Sequence, residues 1–350
     1  MYLFQCDYNR MCHPAVFQKL NECSDLAMVG YGADRACAAA AQKIRKLCGR
    51  EDIAVHFLSG GTQTNLTVIA AALRVHQAVI AAESGHISEH ETGAIEATGH
   101  KVLTLPAVDG KITAKQIQEL VDLHYTPNGP GPEHSSQPKM VYISMSTELG
   151  TVYSLSELEQ IAQVCKQNSL YLYMDGARLG YALAAQDNDV TMSDIARLCD
   201  AFYLGGTKQG AMFGEAVIIA NPALAQDFRY IIKQRGGMLA KGWLMGMQFD
   251  ALLEDDLYFK ISAHANQMAD RIRNAIVKAG FHMNVVNPTN QVFAVIPDAV
   301  LDKLAQSFMF TEWMRVDPDH RMVRFCTSWA TQEAEVNALC EALNSLAKGG

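Results

Sequence analysis

The fold is decided by Tyr173-Met174-Asp175-Gly176-Ala177-Arg178 and by Gly205-Gly206-Thr207-Lys208. Each stretch follows or continues an apolar run, residues 170–173 and 201–204, whose composition favours a buried β-strand. Each strand therefore delivers polar residues at its C-terminal end, which is where an open α/β sheet binds its ligands. We expect an aspartate and a lysine, Asp175 and Lys208, to lie together at one edge of a sheet.

This pair of side chains suits one cofactor, pyridoxal phosphate (PLP). PLP needs a lysine amine for a covalent link and a carboxylate that keeps its ring nitrogen protonated. Most lysines are solvated at the surface, but Lys208 lies at a strand end between glycine-rich turns, which favours a reactive amine. Asp175 alone also fits a plain helix N-cap. That alternative does not explain Arg178, whose guanidinium at the same edge suits bidentate binding of a substrate carboxylate.

A glycine-rich turn is a candidate anion site. Ser59-Gly60-Gly61-Thr62-Gln63-Thr64 lies between a predicted strand and a predicted helix. Glycines let the backbone approach an anion, and the first turn of a helix offers free N–H groups. A tight βα turn capped by threonine explains the stretch equally well. It is neither a Walker A loop nor a dinucleotide-binding fingerprint, since both the lysine and the glycine spacing are missing.

Two further side chains point to the same site. His86 follows another predicted strand, and a flat imidazole there can stack on a pyridine ring or transfer a proton. A histidine bonded to the backbone of its loop is the alternative. Arg324 lies inside the apolar strand of residues 322–326, where an arginine should be paired or functional. We interpret Arg324 as a second residue that binds the substrate carboxylate. The alternative is a structural ion pair.

Composition narrows the class of protein. The 350 residues are 49% hydrophobic and 19% charged, with a formal net charge of −8 and no basic block. This balance argues against nucleic acid as a partner. The N-terminus does not have the pattern of a signal peptide, and no apolar run has the length of a membrane span. Nine cysteines without CxxC pairs favour reduced thiols, a cytoplasmic location and no structural zinc site.

Strands and helices alternate from residue 53, which predicts an α/β fold with a mostly parallel sheet. Thr113 with Gln116 and Ser154 with Glu157 predict two capping boxes. A long helical stretch over residues 243–278 precedes strands and a final helix from Thr331 that ends at Lys348-Gly349. We therefore expect an N-terminal arm (1–24), a large cofactor-binding domain (25–245) and a small C-terminal α+β domain (246–350).

Over nearly its whole length the chain resembles the L-threonine aldolase group of PLP-dependent enzymes. This group belongs to the β-eliminating lyase-like branch of fold type I, the aspartate aminotransferase fold. The motifs that carry the resemblance are Asp-Gly-Ala-Arg at 175–178, Ser-Gly-His-Ile at 84–87, Glu-Thr-Gly-Ala at 91–94, the Lys208 segment and Val-Arg-Phe at 323–325.

The resemblance implies a role for each site residue. Lys208 would carry PLP covalently, Asp175 would pair with the pyridine nitrogen, and His86 would stack on the ring. Arg178 and Arg324 would bind the amino-acid carboxylate. The other implied cofactor ligands are Gly60, Gly61, Thr62, Gln63 and Thr207. Gly30-Tyr31-Gly32 resembles a segment near a dimer interface, with Tyr31 as a substrate ligand, and Arg235 and Lys241 are placed to reach the phosphate of a neighbouring subunit.

The chain departs from the family pattern at one point that bears on substrate. Many members carry a histidine after Asn-Thr beyond the strand that ends near Ile143, and this chain has Met145-Ser146-Thr147. That histidine is the usual contact of the substrate β-hydroxyl, so the general base and the β-carbon configuration stay open. Bulkier β-hydroxy amino acids such as phenylserine become plausible substrates.

The expected activity is retro-aldol cleavage of an L-β-hydroxy-α-amino acid to glycine and an aldehyde, in a homodimer or homotetramer with shared active sites. The alternatives are another PLP reaction on the same scaffold, namely β-elimination, racemisation or transamination, and a non-catalytic PLP-binding regulatory protein.

Overall fold

The computed structural model describes residues 1–347. Its strands are β1 (Tyr2–Leu3), β2 (Ala54–Leu58), β3 (Gln77–Ala82), β4 (Lys101–Leu105), β5 (Gln137–Ser144), β6 (Tyr171–Asp175), β7 (Ala201–Gly205), β8 (Glu215–Ile219), β9 (His282–Val285), β10 (Gln291–Pro297), β11 (Phe308–Met309), β12 (Thr311–Asp317) and β13 (His320–Cys326).

The α-helices are α1 (Pro14–Glu22), α2 (Arg35–Cys48), α3 (Gly61–Ala72), α4 (His86–Glu89), α5 (Ala114–His124), α6 (Leu155–Gln167), α7 (Leu179–Leu183), α8 (Met192–Leu198), α9 (Pro222–Ala225), α10 (Phe228–Gln234), α11 (Trp243–Leu252), α12 (Leu257–Lys278), α13 (Asp298–Leu304) and α14 (Glu333–Ala347). Both predicted capping boxes are present, at the starts of α5 and α6.

A seven-stranded sheet with the order β2-β8-β7-β6-β5-β3-β4 forms the centre of the molecule. The pairs from β7 through β4 are parallel, and only β8 runs antiparallel to its two neighbours. Strands such as β3 and β5 are apolar along most of their length because helices cover both faces of the sheet, one core on each side. The predicted α/β class with a mostly parallel sheet is confirmed.

The register of this sheet brings three chain segments to one edge. Ser144 at the end of β5 pairs with Asp175 at the end of β6, and β7 ends beside them at Gly205. Because the three strands are parallel, the loops that follow all leave at the same edge. The residues after these strands are therefore neighbours in space although they are far apart in sequence.

A second, antiparallel sheet with the order β12-β13-β10-β9 packs with α12 and α14 around a separate apolar core. The N-terminal arm reaches this part of the chain, since β1 pairs in parallel with β11. Residue 245, the predicted domain boundary, falls within α11, and α11 lies against α2. The division into domains at that residue stays a prediction.

The long helix predicted over residues 243–278 is interrupted. A 3-10 turn at Glu254–Asp256 separates α11 from α12, with positive φ at Asp255 and Asp256. Aspartate tolerates this left-handed backbone better than most residues, so three consecutive acidic residues can end one helix and start another. The predicted end of the last helix at Lys348-Gly349 lies outside the described residues. Within residues 1–347 no helix is both long and apolar enough to cross a membrane.

Candidate active site

A cavity of about 650 Å³ opens at the edge where β5, β6 and β7 end. It lies between the large sheet and β12 and β13 of the small sheet, so both parts of the chain contribute side chains. The predicted residues that line it are Gly60, Gly61, Thr62, His86, Asp175, Arg178, Thr207, Lys208 and Arg324. The structure thus brings together most of the site that the motifs indicated.

Four predicted residues do not line this cavity within the single chain. Gln63 turns back to its own loop, where its Oε1 accepts hydrogen bonds from the Ser59 N–H and hydroxyl. Arg235 follows α10 and is half-buried, and Lys241 is exposed. Tyr31 lines a different cavity. The last three were assigned to a subunit interface, and that assignment stays a prediction.

The carboxylate of Asp175 is buried and accepts four hydrogen bonds from the protein. Its Oδ1 accepts from the Tyr203 hydroxyl at 2.5 Å and from the Ala177 N–H at 2.9 Å. Its Oδ2 accepts from the Tyr142 hydroxyl at 2.6 Å and from Asn65 Nδ2 at 3.0 Å. Burial alone would raise the pKa of Asp175, but His86 and these donors outweigh burial and hold the pKa below its ordinary value. The group is therefore an anion at neutral pH.

The same network fixes the imidazole of His86. Asn65 also donates to Glu91 Oε1 at 2.7 Å, and that oxygen lies 2.8 Å from His86 Nδ1. A carboxylate beside Nδ1 favours the tautomer that carries the proton on Nδ1. In the neutral ring Nε2 then carries no proton. A chain of hydrogen bonds thus connects the ring of His86 to Asp175 through two buried side chains, and it sets the orientation of the imidazole.

Lys208 follows β7, and its carbonyl accepts a hydrogen bond from the Tyr181 hydroxyl at 2.5 Å. Burial and the nearby Arg178 guanidinium lower the pKa of the Lys208 amine, and neighbouring carboxylates only partly oppose this. One of these carboxylates is Glu215, which accepts from the Gly206 N–H and the Thr207 hydroxyl, each at 3.0 Å. Thr207 and Glu215 therefore hold the turn that presents the lysine.

The glycine-rich turn forms an open helix start beside Lys208. Gly60 precedes α3, a helix of 12 residues, and no side chain caps it. The first N–H groups of such a helix lack partners within it and favour an anion. A Cβ at Gly61 would lie 3.2 Å from the Tyr203 hydroxyl, which is tighter than ordinary contact. The N–H groups, the Thr62 hydroxyl and the lack of side chains at 60 and 61 fit the phosphate of PLP.

Arg178 is already engaged by a carboxylate of the protein. Its Nε and Nη2 donate to the two oxygens of Asp7, at 2.8 and 3.1 Å, in a buried pair. Asp7 comes from the N-terminal arm and also accepts from Asn290 at 2.9 Å. Although burial opposes it, Arg178 leads the groups that lower the pKa of Asp7 to about 2. Among the described residues no hydrogen bond from Arg178 Nη1 is present, so this edge of the guanidinium is available to a ligand.

Arg324 differs in having no carboxylate partner among residues 1–347. Its Nη1 donates to Gln291 Oε1 at 3.0 Å, and its Nη2 donates to the Gln5 carbonyl at 3.1 Å. Its guanidinium carbon lies 5.2 Å from the centre of the Trp313 ring. The structural ion pair considered from the sequence is absent there. The positive charge faces a cavity with neutral partners only, which is the setting of an anion ligand.

Several residues of this site are not among those predicted from the sequence. Asn65, Tyr142 and Tyr203 support Asp175 from three different elements, and only the register of the sheet brings them together. Trp313 and Glu148 also line the cavity. Glu148 directly follows Met145-Ser146-Thr147. Its position just beyond the end of β5 could have indicated that it belongs to the site.

Comparison with known proteins gives a consistent result. The model of the β-eliminating lyase family matches residues 25–299. A low specificity L-threonine aldolase of a Pseudomonas strain is 31% identical, with 97% of this chain and 96% of the relative covered. The low specificity L-threonine aldolase of Pseudomonas aeruginosa is 29% identical, with 95% and 94% covered.

Solved structures agree in fold. A Leishmania major threonine aldolase superposes with a TM-score of 0.96 at 45% identity, covering 99% of this chain and all of that chain. An aspartate aminotransferase of Thermus thermophilus superposes with a TM-score of 0.72 at 13% identity, covering 99% of this chain and 91% of that chain. The second likeness concerns the fold alone, and it confirms the predicted fold type I architecture.

Proposed function

The chain belongs to the β-eliminating lyase family, and on this premise we propose that it is an aldolase that cleaves L-β-hydroxy-α-amino acids of the threonine type to glycine and an aldehyde. Family and fold imply dependence on PLP. The proposal adds that the cofactor is covalently bound to Lys208. The observation that carries it is the meeting of Lys208, Asp175 and two arginines in one cavity.

The residues of the large sheet fit the cofactor. In the proposal, Asp175 pairs with the ring nitrogen, His86 stacks on the ring, and Gly60, Gly61 and Thr62 hold the phosphate at the start of α3. When bound, PLP supplies an electron sink for a bond broken at Cα of the amino acid. Asp175 suits its part because its four hydrogen bonds keep it anionic without any rearrangement of solvent.

Lys208 suits the covalent role because its amine loses its proton more readily than an ordinary lysine. Desolvation and the charge of Arg178 both favour the neutral amine. A neutral amine is the nucleophile that attacks a carbonyl carbon. The Glu215 carboxylate fixes the Gly206-Thr207 turn, so the amine is presented from a rigid strand end.

Two arginines suit the carboxylate of the substrate. Among the described residues Arg324 has only neutral hydrogen-bond partners, so its charge is available to the substrate carboxylate. Arg178 offers its Nη1 while Asp7 holds the rest of its guanidinium. Two fixed donors on one carboxylate orient the amino acid and hence the bond that will break. The relatives named low specificity L-threonine aldolase support threonine-type substrates for this geometry.

The proposal includes assembly into a homodimer or homotetramer in the cytoplasm. Tyr31, Arg235 and Lys241 would then reach the active site of a neighbouring subunit. This would give a role to three predicted ligands that lie away from the cavity of their own chain.

The test is release of aldehyde from L-threonine, L-allo-threonine and phenylserine by PLP-loaded protein. We expect equal amounts of aldehyde and glycine, and Lys208→Ala should abolish both together with the visible absorbance of lysine-bound cofactor. Lys115→Ala is the matched control, because Lys115 is exposed and pairs with Glu119 on the same helix.

Other products would contradict the aldolase. Pyruvate with ammonia would indicate β-elimination, and a changed Cα configuration without cleavage would indicate racemisation. Transfer of the amino group to a keto acid would indicate transamination. Bound cofactor with no reaction on any amino acid would indicate a binding protein. Full activity of Lys208→Ala would overturn the assignment of the lysine.

A further inference from the structure

The segment after β5 contributes an acidic side chain to the cavity. Thr147 is buried, and its hydroxyl lies 2.7 Å from the Thr151 hydroxyl. It does not line the cavity. The next residue does: Glu148 lines the same cavity as Lys208 and Arg324.

The carboxylate of Glu148 is fixed through one oxygen only. Its Oε1 accepts from the His86 N–H at 2.9 Å and from the Ser144 hydroxyl at 2.7 Å. The two donors lie at the start of α4 and at the end of β5. Among the described residues no hydrogen bond to Oε2 is present, and this oxygen is not enclosed by the protein. A rigid carboxyl group therefore presents one unused oxygen to the cavity.

The other groups that could move a proton there are less suited. The Nδ1 of His86 is held by Glu91, and its ring is the one assigned to stack on the cofactor. His90 packs edge-on against His86 and Trp313, and burial lowers its pKa. Thr147 points elsewhere.

On the basis of the proposed function, we infer that Glu148 is the general base that accepts the proton of the substrate β-hydroxyl. The O–H bond breaks and its proton moves to Oε2, while the carbonyl of the aldehyde forms and the Cα–Cβ bond breaks. The electron pair of that bond remains on the glycine fragment and ends in its new Cα–H bond with a proton from water. Glu148 returns its own proton to water.

The electrostatic setting supports this role. Burial raises the pKa of Glu148, and the Asp175 charge acts in the same direction, against the Ser144 hydrogen bond and the charge of His86. The other titratable or charged residues that line the cavity are Tyr8, His86, His90, Asp175, Arg178, Tyr203, Lys208, Glu215 and Arg324. A carboxyl group with a raised pKa is a better proton acceptor than an ordinary glutamate near neutral pH.

The test compares Glu148→Gln with the wild-type holoenzyme. The amide oxygen of glutamine can still accept from the His86 N–H and from Ser144, so the local structure should be kept. We expect aldehyde release to fall by about 10² to 10⁴-fold, the range of a lost general base. The limb of the pH profile on which activity rises with pH should disappear. Glu119→Gln, at an exposed position of α5, is the matched control.

A second measurement separates catalysis from structure. Glycine has no β-hydroxyl, so exchange of its α-protons with D₂O, followed by NMR, should continue in Glu148→Gln within about threefold of wild type. Equal loss of exchange and cleavage would indicate a structural role and overturn the inference, as would unchanged cleavage. If Glu148→Gln does not fold, Glu148→Asp takes its place, with the same loss of cleavage and retained exchange expected because its shorter carboxylate is withdrawn from the hydroxyl. Failure of the wild-type protein to release any aldehyde would instead contradict the proposed function.

Discussion

The Asp175 side of the cavity, formed by the large sheet, differs from the Arg324 side, formed by the small sheet, in how its charges are matched. Asp175 accepts four hydrogen bonds from groups of the protein. Arg324 has only neutral hydrogen-bond partners, and its Nε is buried with no partner among residues 1–347. The protein itself fixes the carboxylate of Asp175, whereas the charge of Arg324 is left for a ligand to match.

This difference follows from what each side has to do in the proposed reaction. A group that stabilises charge on a resident cofactor works best if its surroundings do not move, which requires a saturated network. A group that binds and releases substrate must exchange a partner at every turnover, so a permanent carboxylate partner would compete with the ligand. Arg178 is intermediate, since Asp7 fills one edge of its guanidinium and Nη1 remains.

We expect the largest loss of activity when the charge of Asp175 is removed. Asp175→Asn keeps the shape of the side chain but removes its charge, and we expect kcat to fall about 10³-fold, as for other preorganised electrostatic groups. The cofactor should stay bound, which its visible absorbance would show. A variant that retains more than a tenth of wild-type kcat would show that the charge of Asp175 is dispensable.

Removing the ion pair between Asp7 and Arg178 should mainly lower the stability of the fold. Asp7→Asn leaves Arg178 as a buried cation without its counter-charge, and we expect the free energy of unfolding to fall by roughly 3 kcal/mol in denaturant titrations at pH 7. The pKa of Asp7 is lowered from 3.8 to about 2 in the folded protein. Its ionisation therefore stabilises the fold above pH 3.8, and this contribution is lost as the pH falls towards 2.

The pH dependence gives this prediction its control. The difference in unfolding free energy between wild type and Asp7→Asn should be constant near neutral pH and should shrink as the pH falls from 3.8 towards 2. A difference that is independent of pH over this range would mean that the charge of Asp7 does not contribute.

The smallest of the three effects is expected on the Arg324 side. Arg324→Gln removes one charged donor to the substrate carboxylate, a contact worth about 1.5–3 kcal/mol, so kcat/KM should fall by about 10- to 100-fold. The absorbance of bound cofactor should not change, because Arg324 belongs to the substrate side. Arg315→Gln is the matched control, since Arg315 is an exposed arginine of the same small sheet. Loss of cofactor from Arg324→Gln would contradict the assignment of Arg324 to the substrate alone.

Features of the fold and of the site that depend on a local sequence pattern could be predicted from the sequence. Asp175 and Lys208 follow apolar strands, and the C-terminal ends of parallel strands meet at one edge, so their proximity could be predicted. Arg324 could be singled out because it interrupts an apolar strand. The capping boxes depend on residues three positions apart and were also predictable.

The sequence was insufficient where a contact joins distant elements. Nothing near Arg178 indicates that Asp7, 171 positions away, will bind it. The support of Asp175 by Asn65 and two tyrosines depends on strand order and register, which local pattern does not determine. Glu148 was missed by one position, because a strand end can present any of the residues that follow it. The roles assigned to Tyr31 and Lys241 require a neighbouring subunit and remain predictions.

The docking of residues 2–7 has a consequence for biosynthesis. The Phe4 carbonyl accepts from the Cys326 N–H at 2.7 Å, and the Gln5 carbonyl accepts from the Thr311 hydroxyl at 2.8 Å. Chains are made from the N-terminus, so this arm leaves the ribosome long before the strands that hold it. The hydrogen bonds that hold residues 4 and 5 can therefore form only after residues 311–326 have been made. The Arg324 side of the cavity, where Nη2 of Arg324 donates to the Gln5 carbonyl, is therefore built from residues 319 positions apart in the chain.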